Sequence, residues 1–123
     1  MKQTYETGLS GEKAAETYLT QKKGMRCLER RYRCKCGEID LIMLDQGCLV
    51  FVEVKTRKTG EPGEGLKAVN FRKQQRIVRA SSLYMLSARK LNSAVRYDVV
   101  EVFGDSILHI PNAFQPQGRM FYR

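Results

Sequence analysis

The sequence predicts a single α/β domain, with a mixed sheet of four to five strands flanked by helices. Residues 36–57 hold two apolar runs of period two, Glu38–Leu44 and Leu49–Lys55, on either side of Asp45-Gln46-Gly47-Cys48, the pattern of a β-hairpin. A basic run, Met25–Arg33, leads directly into it and extends it to a three-stranded antiparallel meander. A stretch of helical period, Leu66–Leu86, then precedes a β-branched run, Val95–Phe103. Strand, helix and strand in that order imply a right-handed parallel crossover.

The chain has 123 residues, 42% of them hydrophobic and 28% charged, enough for one core without disulfide staples and unlike a disordered segment. Residues 1–9 are expected to be a loose leader. Ser10 can cap a first helix running to about Lys22, with Ala14, Ala15, Tyr18 and Leu19 as its apolar stripe and Gly24 ending it. Glu12 falls just beyond that stripe, where it either favours the helix dipole or reaches the rim of whatever the helix packs on. On the first strand, Arg26, Arg30, Arg31 and Arg33 suit either phosphate contact or a solvated edge.

Lys58–Gly65, KTGEPGEG, reads as a mobile loop. In the second helix Leu66, Val69, Ile77, Ala80, Leu83 and Tyr84 form the apolar side. Lys73 lies within it, and either snorkels to solvent or reaches an acidic site or a phosphate. Lys67, Arg72, Arg76 and Arg79 make the rest of the helix basic. A short fifth strand, Ile107–Ile110, follows Gly104-Asp105, and the tail 111–123 reads as irregular. His109, the sole histidine, is far in sequence from the acids and reads as structural rather than as a general base.

Twenty-two Lys and Arg against 13 Asp and Glu give a net charge of +9, with a pI near 9.6. Such an excess attracts polyanions, nucleic acid first and anionic membrane second. The opening Met1-Lys2-Gln3-Thr4-Tyr5-Glu6 has no signal-peptide core, and the longest apolar run, Cys48–Val52, is far too short to cross a bilayer. A cytoplasmic protein is expected. Cys27, Cys34, Cys36 and Cys48 lack the paired spacing of structural zinc knuckles, so they read as reduced thiols packed as small hydrophobes. Zinc-dependent RNA binding through them is a minor alternative.

A two-residue loop at Gln46-Gly47 places Asp40 opposite Glu53 and Glu38 opposite Lys55, and period two brings all four to one face. The other face, Ile39, Leu41, Met43, Val50, Val52 and Val54, is apolar, while Ile42, Leu49 and Phe51 make the charged face partly apolar too. Opposed like charges destabilise a sheet. At about 5 Å and an effective dielectric near 20 the repulsion is on the order of 3 kcal/mol. A divalent cation would offset it, because Mg²⁺ takes one or two protein carboxylates and keeps several waters. The alternative is a solvated face neutralised by Lys55 and nearby arginines, which is hard to reconcile with strands covered on both sides.

Helix, meander, helix and strand, with Asp40 on the second strand and Glu53-Val54-Lys55 on the third, resemble the PD-(D/E)xK nucleases of the restriction endonuclease-like superfamily and their αβββαβ core. More closely, Gly11-Glu12, Gly37-Glu38-Ile39-Asp40-Leu41-Ile42, Val50-Phe51-Val52-Glu53-Val54-Lys55, Lys73 and Tyr97-Asp98-Val99-Val100 resemble the YraN family of small bacterial predicted endonucleases, over roughly residues 8–114. That family is similar in outline to archaeal Holliday-junction resolvases, which implies branched DNA as substrate. The resemblance implies Asp40 and Glu53 as ligands of Mg²⁺ or Mn²⁺, Lys55 as partner of the water or scissile phosphate, and Glu12 as an accessory acid. Glu38 departs from the superfamily pattern and either binds metal or pairs with Lys55.

The expected function is therefore metal-dependent endonucleolytic hydrolysis of phosphodiester bonds in DNA. Arg30, Arg31 and Arg33 of the first strand and Arg72, Lys73 and Arg76 of the second helix would hold the backbone. The alternative is a non-catalytic nucleic-acid-binding module on a nuclease-like scaffold. Paired nicks across a junction would require a symmetric homodimer, for which no segment declares an interface.

Overall fold

The computed structural model describes residues 2–117, with side chains from Ser10 onward. Helix α1 (Lys2–Gln21) precedes strands β1 (Arg26–Cys34), β2 (Gly37–Asp45) and β3 (Cys48–Arg57). A 3₁₀ turn (Glu64–Ala68), helix α2 (Phe71–Ser87) and strands β4 (Ala94–Phe103) and β5 (Ser106–Phe114) follow. The sheet runs β1-β2-β3-β4-β5. Neighbours are antiparallel except β3 and β4, which the crossover through α2 leaves parallel. This is the expected mixed α/β architecture, consistent with a restriction endonuclease-like fold.

The hairpin turn is the two-residue loop the sequence implies. Gln46 and Gly47 both have positive φ, 50° and 85°, the geometry that matches the right-handed twist of the strands it joins. Asp45 consequently faces Cys48, and pairing continues to Leu41 opposite Val52. The strands are covered on both sides. Val50 and Val52 of β3, with Leu41, Met43, Val100 and Val102, pack on Ala15 and Leu19 of α1. Leu49 and Phe51, with Ile42, Tyr97 and Val99, pack on Ile77, Val78, Ala80 and Tyr84 of α2. At about 1.5–3 kcal/mol for each large side chain fully buried, these two layers supply the main stabilisation of the sheet.

Several expectations about element ends are corrected. Residues 2–9 continue α1 rather than forming a loose leader, and Ser10 lies inside the helix instead of capping it. No proline interrupts the segment, and isolated glycines lower helix preference without ending a helix. The second helix begins only at Phe71, where the Asn70 side chain accepts the Lys73 N–H at 3.0 Å. Leu66 therefore sits in the 3₁₀ turn, and Val69 packs under α2 from the link between turn and helix. Strand β5 runs through Pro111 to Phe114, so the first residues of the expected irregular tail are sheet. Proline is tolerated on such an edge strand. Met1 and residues 118–123 lie outside the described residues.

The Lys58–Gly65 loop, expected to be mobile, is tied down at both ends. Arg57 donates to the Thr59 and Glu61 carbonyls, and Glu101 accepts from Gly63 and Gly65. The four cysteines are free thiols. Among the described residues no helix is long and apolar enough to cross a membrane.

A polar cluster joins β4 to β5. Asp98, wholly buried, takes two hydrogen bonds from Arg96 at 2.9 and 3.0 Å and one from the Asn112 N–H at 2.9 Å, and His109 Nε2 lies 2.7 Å from it. Burial pushes the Asp98 carboxyl up, but the hydrogen bonds to His109, Arg96 and Asn112 outweigh it and hold the group below its usual range. His109 is thus part of the fold's internal pinning, as the sequence suggests.

Candidate active site

Strand β2 parts from both neighbours at Asp40. Toward β1, Arg30 pairs with Leu41 and Tyr32 with Ile39, with no Arg31–Asp40 pair between them, and Arg31 stands at φ 52°. A left-handed conformation at a side-chain-bearing residue costs about 1–2 kcal/mol. Toward β3, the ladder ends at Leu41 and Val52. The Asp40 carboxylate enters that opening and accepts the Val54 N–H at 2.8 Å, in place of a backbone carbonyl.

The break also reverses the strand's alternation. Ile39 packs with Ile42 on the α2 side, whereas Leu41 and Met43 face α1. The expected apolar face therefore loses Ile39, and neither Asp40–Glu53 nor Glu38–Lys55 is a ladder pair. What unites Asp40 with Glu53 is the opening between the strands rather than direct cross-strand pairing.

Glu53 follows Phe51 on the α2 side of β3 and is only 4% exposed. Two ammonium groups converge on one of its oxygens: Lys55 Nζ and Lys73 Nζ each lie 3.4 Å from Oε2. Of the two readings of Lys73, the structure selects the one in which it reaches the acidic site, from the first turn of α2. The Asp40 carboxyl is pushed up to about 7, first by burial and then by Glu53. The Val54 N–H pulls it back, Glu12 raises it further and Lys73 lowers it.

Glu12 comes from α1. Burial raises its carboxyl, Arg31 opposes that, and Glu38 and Glu53 add to it, so its charge is felt by the same group of acids. The preceding glycine explains how the helix comes so near: a Cβ on Gly11 would collide with the Thr56 side chain of β3. Gly11-Glu12 is thus a contact point followed by a carboxylate near the other acids, a relation visible in the sequence only as a motif.

The other candidates are distributed differently. Glu38 pairs with Arg33 at 2.6 Å and faces Arg31 at 3.9 Å, so its partners are arginines and not Lys55. Arg31 also lies 3.6 Å from Glu12, bridging two acids in a way the sequence did not suggest. Arg30 makes a bidentate pair with Glu16 at 2.6 and 2.7 Å. Arg30, Arg31 and Arg33 are therefore each paired with a carboxylate. Arg72 is exposed, and Arg76 lies over Gly37 at the β1–β2 turn.

Asp40 and Glu53 offer hard oxygen donors to a cation, with Glu12 at the rim. Among the described residues no three His, Cys, Asp or Glu side chains form a group able to enclose an ion. That donor set suits Mg²⁺ or Mn²⁺, which rely on few carboxylates and retain waters, and does not suit a closed structural zinc site.

A family model described as uncharacterised protein family UPF0102 matches residues 11–102, a span that includes every acid and lysine of this site. A UPF0102 protein of Caldanaerobacter subterraneus subsp. tengcongensis is 43% identical over 114 residues, covering 87% of this chain and 93% of that protein. One of Geobacter metallireducens is 40% identical over 112 residues, 88% of this chain and 91% of its own length. One of Clostridioides difficile is 40% identical over 111 residues, 89% and 96%.

Proposed function

The chain belongs to uncharacterised protein family UPF0102, and we propose that it is a metal-dependent endonuclease hydrolysing phosphodiester bonds in DNA. The family is the YraN-type family that the motifs resemble; the nuclease assignment rests on the site. One observation carries it. Asp40, half-buried, is held by Val54 in the break of the sheet beside the buried Glu53, at the expense of a carboxyl raised to about 7. A fold stabilised only by packing gains nothing from two crowded carboxylates, whereas a divalent cation makes that crowding favourable.

Asp40 and Glu53 would hold Mg²⁺ or Mn²⁺, which when bound supplies Lewis acidity toward a phosphate oxygen and a water. Lys55, whose ammonium stands beside Glu53, stabilises negative charge developing on the phosphoryl group. Lys73 stands on the same oxygen and is freed for phosphate when that oxygen takes another partner. Glu12, with its raised affinity for a proton, is placed to serve as an accessory acid. The resemblance to junction resolvases makes branched DNA the first substrate to include.

The test is incubation with nicked, supercoiled, single-stranded and four-way-junction DNA in Mg²⁺ or Mn²⁺, beside Asp40→Asn and Glu53→Gln. Cleavage unchanged by either substitution discards the assigned site. The second reading, a non-catalytic nucleic-acid-binding module, is favoured by the two lysines that already balance Glu53 without a cation. It holds if isothermal titration shows no Mg²⁺ or Mn²⁺ entering and DNA affinity survives Asp40→Asn.

A further inference from the structure

Glu101 is a buried carboxylate that the acid site does not use. It lies on β4 in register with Lys55 of β3, wholly shielded from solvent. Its two oxygens accept the N–H groups of Gly63 at 3.1 Å and Gly65 at 2.7 Å, so it holds the 3₁₀ turn from beneath. A Cβ on Gly65 would stand 2.5 Å from Glu101 Oε2, and only glycine lets the turn settle so closely on the carboxylate. Arg57 fastens the same turn from the side, donating to Glu64 at 2.9 Å and to the Thr59 carbonyl at 2.7 Å.

The effect is a groove of about 560 Å³ between the end of β3 and the turn, walled by Lys55, Arg57, Gly65 and Lys67. Glu64, its single acid, is already paired with Arg57. Lys67 is exposed and has no carboxylate within ion-pair distance among the described residues. Lys55 stands on Glu53, and Arg57 on Glu64 and Glu101, so Lys67 brings the groove its free positive charge, and through Lys55 the groove opens beside the acid site. Arg30, Arg31 and Arg33 of β1 are likewise each paired with a carboxylate, whereas Lys67 is not.

We propose that this groove seats a nucleic-acid backbone phosphate adjacent to the one at the acid site, held by Lys67 with Lys55, and that Glu101 is the positioning residue that builds it. The proposal rests on the nucleic-acid reading above and names which surface carries the strand. A phosphate has the charge and acceptor oxygens that two ammonium groups satisfy, and an ordered turn keeps the pair at a set separation.

The experiment measures binding of a fluorescein-labelled 16-base-pair duplex in EDTA, where no cleavage occurs, between 50 and 200 mM KCl. Lys67→Gln is expected to weaken binding several-fold and to reduce the salt slope by about 1. Lys90→Gln, the same charge change beyond the end of α2, is expected to leave the slope in place. Titration with inorganic phosphate is expected to shift the amide signals of residues 65–68, and Glu101→Gln to diminish those shifts. A salt slope unchanged in Lys67→Gln, or phosphate shifts located elsewhere, overturns the proposal. Failure of the nuclease reading looks different: cleavage persists in Asp40→Asn while the Lys67 effect on binding remains, and then the phosphate seat stands without the metal site.

Discussion

The Val54 amide donates a 2.8 Å hydrogen bond to the Asp40 carboxylate, at the position where the β2–β3 ladder would otherwise have continued past Leu41 and Val52. A side chain thus takes over the role of a backbone carbonyl. The substitution satisfies the freed N–H and fixes the carboxylate in the opening of the sheet, next to Glu53. The position of the carboxylate follows from that exchange, and its raised titration from that position.

The first consequence is a pH dependence. A carboxyl that titrates near 7 in the fold and near 3.8 unfolded binds more protons when folded across that window. Metal-free protein should therefore lose stability as the pH rises from about 4 to about 7 and level off above. Asp40→Asn retains an acceptor for Val54 and carries no charge, so it should be the more stable form at pH 8, by on the order of 2–4 kcal/mol, and lose that advantage below about pH 4. Urea unfolding in EDTA across the range checks this. Added Mg²⁺ should narrow the gap by stabilising the unsubstituted protein alone.

Lys73 lowers the Asp40 titration from across the opening. Removing its charge should leave the carboxyl harder to ionise. In Lys73→Gln the ¹³C carboxyl titration of Asp40 in metal-free protein is expected to move above its midpoint near 7. A midpoint that stays put would mean that the ammonium is screened by solvent and has no part in the site's electrostatics.

Gly11 sets the approach of α1 to β3, because any Cβ there meets the Thr56 side chain. Gly11→Ala should destabilise the protein by about 1–3 kcal/mol through overpacking. Thr56→Ala in the same chain should restore much of the loss. Thermal melts of the two single variants and the double variant give the coupling directly, and independent effects would exclude the contact as the cause.

Asp98 behaves in the opposite sense to Asp40. Its depressed titration means that its contribution to stability is fully present above about 3.8 and disappears as the pH falls through the still lower folded value. Asp98→Asn leaves Arg96, partly exposed, with Asp45 as its remaining counter-charge and should cost about 1–3 kcal/mol at pH 7. The difference should shrink in acid, as followed by unfolding at pH 7 and pH 3.

The elements and the identity of the main acids could be read from the residues, because those features are local. Period two and the Gln46-Gly47 turn fixed the hairpin register as far as Leu41 and Val52, and the strand, helix, strand order required the parallel crossover. The same periodicity misplaced Ile39, since it assumed that β2 stays paired through Asp40. It also ran the second helix back to Leu66 across the cap at Asn70, although an asparagine before a helical stretch is itself a start signal.

The partners of the charged side chains could not be read in the same way. Whether Lys73 turns to solvent or to Glu53, and whether Glu38 meets Lys55 or Arg33, depends on where strands part and how closely two helices approach them. Those distances are set by packing between residues remote in the chain, such as Gly11 on Thr56 and Gly65 on Glu101. A long flexible side chain has several neighbours within reach, and burial together with the nearest opposite charge selects one of them only after the backbone has closed around it.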